Sequence, residues 1–230
     1  MRIGGIALLF CTCLTLGQGP SVQETRDHWA FQPVVETIPP QVEGIRNPID
    51  SFVQSKLIAN NMRPSPEAAK ATLIRRISFD LTGLPPTFEE MREFVKDVRP
   101  NAYERLVDKL LASPRFGERW GRHWLDLARY ADTKGYLVGG ESRRYPFAFA
   151  YRDWVIGSLN AGMPFDDFVR KQLAADHLLN VPNDPDLAAL GFLTVGPRFL
   201  NRRHLIIDDR IDVVTRGLMG FTVGCARCHD

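Results

Sequence analysis

The last residues are Val223-Gly224-Cys225-Ala226-Arg227-Cys228-His229-Asp230. Two thiols three positions apart, followed at once by an imidazole, form the Cys-x-x-Cys-His pattern of c-type haem attachment. On a tight turn, Cys225 and Cys228 reach the two vinyl groups of one porphyrin. His229 is then held against the iron as its axial ligand. The same residue types leave three other chemistries open: a dithiol–disulfide redox pair, half of a zinc site completed from elsewhere in the fold, and a plain structural disulfide. No βαβ pattern precedes the motif, which counts against a thioredoxin-like pair. A cytochrome iron commonly takes a second ligand, Met or His. Met163, Met219, His123, His177 and His204 are the candidates within the chain. Met219 enters the motif directly and is too close to swing across. Each of the others also reads as a core methionine or a surface histidine. A distal ligand beyond Asp230 is the remaining option. The motif's position leads to the expectation that the chain is a fragment of a longer protein.

The other two cysteines, Cys11 and Cys13, lie in a different kind of segment. Met1-Arg2 opens a positive start, and residues 3–16 are apolar or small without a charge. Gly17, Gly19 and Ser21 follow. This is the layout of a secretory signal peptide, here assigned to residues 1–21. The apolar run is too short to be a stable transmembrane span. Its removal leaves Cys225 and Cys228 as the cysteines of an exported protein, periplasmic or secreted. That compartment agrees with the motif, because covalent haem attachment takes place outside the cytoplasm.

The elements that must position the motif are helical. Residues 22–46 read as an extended lead-in: His28-Trp29-Ala30-Phe31-Gln32-Pro33 and Pro39-Pro40 oppose regular helix. Trp29 and Phe31 are expected to dock on the body of the domain. From residue 47 the chain becomes a series of capped helices. Asn47-Pro48 starts the first, with Ile49, Phe52, Val53 and Leu57 on one face. Ser65-Pro66 is expected to start a second, Thr87 with Glu90 a third through a capping box, and residues 102–112 form a fourth. Ser113-Pro114 starts a fifth that carries Trp120 and Trp124. Further helices are expected over 148–160, 165–179, 186–193 and 208–219. Few stretches alternate as strands must. The fold class is therefore mainly α, a multi-helix orthogonal array with few or no strands, over a domain at 47–230.

With 230 residues, 44% hydrophobic and 24% charged, the chain is an ordinary globular protein. A net charge of +2 gives no footprint for nucleic acid. No Ser-His-Asp order, paired-carboxylate motif or phosphate loop is recognisable, so no catalytic constellation is assigned. His123, Asp126, Arg129 and Asp132 recur every three residues beside Trp120 and Trp124. They read as the polar, ion-pairing edge of a helix over a Trp-rich core. Arg202, Arg203 and His204 with Asp208, Asp209 and Arg210 read as a solvated charged loop. Its arginines are candidate partners for haem propionates.

Several long stretches carry a family likeness. They include Asn47-Pro48-Ile49-Asp50-Ser51-Phe52-Val53, and Arg75-Arg76-Ile77-Ser78-Phe79-Asp80-Leu81-Thr82-Gly83-Leu84-Pro85-Pro86-Thr87. Others are Trp124-Leu125-Asp126-Leu127-Ala128-Arg129-Tyr130-Ala131-Asp132, Gln172-Leu173-Ala174-Ala175-Asp176, and the terminal Gly224-Cys225-Ala226-Arg227-Cys228-His229-Asp230. Together they resemble the planctomycete cytochrome-c-like domain of unknown function. The resemblance implies export and cytochrome-like character and a following domain in a longer protein; a redox partner protein is expected from the haem motif itself. The resemblance implies no particular reaction.

Overall fold

The computed structural model describes residues 22–45, 47–133, 142, 144–178, 183–197 and 202–227. The expected signal peptide lies outside the described residues, as do Cys228 and His229. Regular structure among the described residues is helical, with one isolated antiparallel bridge between Thr133 and Arg144. The mainly α class holds. Contacts divide the chain into two compact units, Met1–Pro66 and Glu67–Asp230.

In the first unit, α1 (Val22–Asp27) leads into a 3-10 turn at Trp29–Phe31. The lead-in is thus partly helical. The imidazole Nδ1 of His28 caps the turn by accepting the Ala30 N–H at 3.2 Å. His28 also packs on Trp29 and Phe31, with ring centroids 5.6 and 6.1 Å away. The aromatics cluster on one another, and Trp29 keeps 81% of its surface in solvent. α2 (Pro48–Ala59) starts as expected. Asn47 Oδ1 accepts the N–H groups of Ile49 and Asp50, and Asp50 returns a bond to the Asn47 N–H. Ile49, Phe52 and Val53 are exposed, and Ser51 is the buried residue of this helix.

In the second unit, α3 (Lys70–Thr82) begins four residues after the expected Ser65-Pro66 start. Pro64 and Pro66 disfavour helix in the residues before them, and residues 62–69 have no helical turn. α4 (Phe88–Lys96) has the expected capping box between Thr87 and Glu90. α5 (Ala102–Leu111) packs with α3 and α4 around a small core of Ile74, Phe94 and Ala102.

The larger core lies among α6 (Pro114–Leu127), α7 (Ala148–Asn160) and α8 (Phe165–Leu178). A 3-10 helix at Pro185–Leu190, α9 (Gly191–Thr194) and α10 (Arg203–Met219) complete it. Trp154 stacks on Phe168 at 5.2 Å, and Trp124 meets Phe168 edge-on at 4.8 Å. The buried Gln172, Tyr151 and Trp154 polar groups are paired, as burial requires. Gln172 Oε1 accepts from Trp124 Nε1 and from the Tyr151 hydroxyl, each at 2.7 Å, and Trp154 Nε1 donates to Asp186 at 2.8 Å. α6 and α7 approach closely at Gly117 and Gly121. A Cβ on Gly117 would lie 2.5 Å from the Ile156 carbonyl oxygen.

Two local readings change. α6 ends at Leu127, so Arg129 and Asp132 are not on its face. Arg129 instead occupies the left-handed region (φ 58) in the turn that leaves the helix. α10 begins at Arg203, so the charges at 203–210 are helical and do not form a loop. Leu205 and Ile206 are half-buried and carry the helical pattern through the charged residues.

Candidate functional site

α10 stops at Gly220, which takes the left-handed conformation (φ 73) open to glycine. The Phe221 N–H donates back to the Thr215 carbonyl at 3.0 Å. The chain then reverses into a 3-10 turn at Gly224–Arg227, where the Ala226 N–H donates to the Val223 carbonyl at 3.0 Å. Arg227, inside the Cys-x-x-Cys spacer, forms an ion pair with the Asp208 carboxylate on α10. Cys225 is a free, exposed thiol on this turn.

Between the returning chain and α10 lies a cleft of about 340 Å³. Val223 and Gly224 line one side, Pro197 contributes, and Asp208, Asp209, Asp212 and Arg216 of α10 line the other. Arg216 pairs with Asp212 one turn before it. Asp209 reaches inward to Arg129 at 2.9 Å, with side chains only 13% and 21% exposed. Burial pushes the Asp209 carboxyl above its usual range, against the opposing pull of Arg129. Burial likewise lowers the Arg129 guanidinium, with Asp209 and Asp212 opposing. Both shifts favour the neutral forms, so desolvation outweighs attraction at this pair. Two further nitrogens of Arg129, Nε and Nη1, are buried without a hydrogen-bond partner among the described residues. Gly196 makes the approach possible: a Cβ there would sit 2.5 Å from Asp209 Oδ2 and 2.6 Å from Arg129 Nη2.

Of the expected site residues, Cys225 is placed on the turn, whereas Cys228 and His229 lie outside the described residues. The candidate second ligands are dispersed. Met163 packs against the main core. His123 is exposed on α6, edge-on to Trp120 at 5.6 Å. His177 is exposed at the end of α8, and Met219 is exposed at the end of α10. His204 is exposed in the first turn of α10, four residues before Asp208. Arg202, Arg203 and Arg210 are also exposed. No cluster of three or more His, Cys, Asp or Glu side chains suited to a metal occurs among the described residues.

An exposed free thiol on a pinned turn is the chemistry that thioether formation with a haem vinyl group needs, so Cys225 fits haem c. The adjoining cleft is lined mainly by charged side chains of α10, with Val223 and Pro197 as its apolar members. Sequence reasoning missed Arg129, Asp209 and Gly196 as a unit. Arg129 and Asp209 are eighty residues apart, and no local pattern joins them. No signal in the sequence marks the end of α6 at Leu127, so Arg129 read as part of the helix.

No helix among the described residues is long and apolar enough to cross a membrane. No curated protein and no solved structure matches the chain. The PSCyt2 family, described as a protein of unknown function (DUF1549), matches residues 48–230. That match takes in every helix from α2 to α10 and the Cys-x-x-Cys-His motif itself, and the chain belongs to the PSCyt2 family.

Proposed function

We propose that this chain is an exported protein that holds one haem c through Cys225 and Cys228, with His229 as an axial ligand, and exchanges electrons with a partner protein. The observation that carries the reading is the Cys225-Ala226-Arg227-Cys228-His229 spacing. The free, exposed state of Cys225 supports it. Haem c supplies one-electron transfer when bound. The chain's own residues would do the rest. Cys225 and Cys228 would each hold the haem by a thioether to one vinyl group, the thiol proton passing to the other vinyl carbon. The Arg227–Asp208 pair holds the turn against α10. Residues 1–21 would direct the chain to the compartment where such attachment occurs.

The test is expression of the full chain with a c-type cytochrome maturation system. A haem-stained denaturing gel and a pyridine haemochrome spectrum should show about one covalent haem per chain. The Cys225→Ser, Cys228→Ser double variant should lose it. Colourless wild-type protein would overturn the proposal. One zinc per chain, or a Cys225–Cys228 disulfide found by thiol titration, would identify what stands in its place.

A further inference from the structure

α10 buries Val213 and leaves two large apolar side chains one turn apart, Ile207 and Ile211, 46% and 51% exposed. They open onto a groove of about 320 Å³, which Leu193 of α9 and Arg210, Val214 and Thr215 of α10 complete. Ile207, Ile211 and Val214 follow the i, i+4, i+7 spacing of one helical stripe. Thr215 donates its hydroxyl to the Ile211 carbonyl at 2.9 Å, which leaves its methyl group for the groove. Charge around this stripe is one-sided. Each carboxylate of α10 already has a cation: Asp208 pairs with Arg227, Asp209 with Arg129 and Asp212 with Arg216. Arg203 and Arg210 lie two turns apart on one edge of the stripe. Both are exposed, and neither has an ion pair among the described residues.

We propose that this groove docks an acidic amphipathic helix of a partner protein. A helix laid along α10 sets leucine-type side chains between Leu193 and the two isoleucines, and Asp or Glu beside Arg203 and Arg210. A groove of this size takes two or three side chains, so the encounter is small and transient. The guanidinium groups set its rate and orientation. Charge opposes self-pairing: two copies of α10 packed antiparallel about Ile211 would set Arg210 against Arg210. A bilayer is flat, whereas this apolar surface is walled by Leu193. The groove contains no residue of the Cys-x-x-Cys-His motif and takes its partner whether or not haem is attached.

The probe is a synthetic alanine-based helix of about five turns, with leucines at i, i+4 and i+7 and glutamates along one edge of that stripe. Two companion peptides carry lysine for glutamate, or serine for leucine. Fluorescence anisotropy follows binding to the full chain, and circular dichroism checks the helix content of each variant. The glutamate peptide should bind saturably, weaken at high salt, and exceed both companions about tenfold or more in affinity. The Ile207→Ser, Ile211→Ser double variant should lose this binding with helix content unchanged. The Arg203→Glu, Arg210→Glu double variant should reverse the preference and take the lysine peptide, a swap that a merely structural role would not produce. No saturable binding, equal binding of the glutamate and lysine peptides, or binding untouched by the isoleucine changes would overturn the proposal. Two other results would overturn it by giving the groove a different occupant. Sedimentation with phosphatidylglycerol vesicles in place of peptide binding, lost in the isoleucine variant, would assign it to an anionic membrane. A concentration-dependent dimer that the same variant abolishes would assign it to a second copy of this chain. None of these outcomes bears on haem attachment.

Discussion

Arg129 has a left-handed backbone (φ 58), a conformation that costs a residue with a Cβ about 1 kcal/mol or more. It is held there by its side chain, which turns back to Asp209 on α10. Loss of either partner leaves the other desolvated and uncompensated. Arg129→Ala and Asp209→Ala should each destabilise the fold by roughly 1–3 kcal/mol in urea unfolding, with the double variant losing less than their sum. Backbone and side-chain contributions separate in Arg129→Gly. It forfeits the same ion pair but relieves the left-handed strain, so it should lose about 1 kcal/mol less than Arg129→Ala. If the two variants proved equally unstable, the strain would not be what the side chain holds. Gly196→Ala approaches the same pair from outside, because its Cβ would collide with Asp209 Oδ2 and Arg129 Nη2. A loss of roughly 1–3 kcal/mol is expected, and most of it should disappear in an Asp209→Ala background.

Between elements, the contact of α6 with α7 turns on what each glycine faces. Gly117 faces the Ile156 carbonyl at 2.5 Å and the Asn160 side chain at 2.6 Å, and its N–H donates to Asn160 Oδ1 at 2.8 Å. Gly121 faces a movable methylene, Ile156 Cγ1, at 3.1 Å. Gly117→Ala should therefore cost about 2–3 kcal/mol. In Gly121→Ala the gain of nearly 1 kcal/mol in helix propensity offsets the crowding, and the melting temperature should barely move. A second junction is Asp186, which accepts from Trp154 of α7 and pairs with Lys171 of α8. Lys171 and then Trp154 hold its carboxyl below 3.8. A lowered acid stabilises the fold above its unfolded value and loses that contribution as pH falls through the folded one. Asp186→Asn should be less stable than wild type by about 1 kcal/mol at pH 7. The gap should close as the pH drops below about 4; a gap that stayed constant down to pH 2 would remove the charge from the explanation. Helix starts that rest on a side-chain cap, at Asn47, Thr87 and Ser113, were legible because the cap is local. The starts of α3 and α10 were not. Ala69 and Arg202 make no side-chain cap bond, and the charged opening of α10 conceals a helix whose register is set by the half-buried Leu205 and Ile206.

At the level of the whole chain, the helical class followed from the 3.6-residue periodicity and the lack of alternation. The placement of charge did not, because Arg129 and Asp209 meet only after α6, α9 and α10 have packed. The Cys-x-x-Cys-His motif could be read directly as a donor set. Its support, the Arg227–Asp208 pair across the returning chain, could not, since nothing in the spacing shows which α10 carboxylate the turn would meet. The division of the chain was likewise hidden inside an expected helix. Residues 62–69 have no regular structure, and Glu67 is exposed at the head of the second unit, immediately after the Pro66 boundary. Backbone of this kind enters a protease cleft, whereas glutamates within packed helices must first unfold locally. Brief digestion with a glutamate-specific protease should therefore cut first at Glu36, Glu43 and Glu67, which share exposed, non-helical backbone. Mass spectrometry should find cleavage after Glu67 while Glu89, Glu90, Glu104 and Glu118 within α4, α5 and α6 stay intact. Circular dichroism of a separately expressed 68–230 fragment should retain its helical signal, because both cores of the second unit lie wholly within residues 68–230. Early cuts inside α4–α6, or a fragment that lacks helicity, would show that the second unit draws its stability from residues before Glu67.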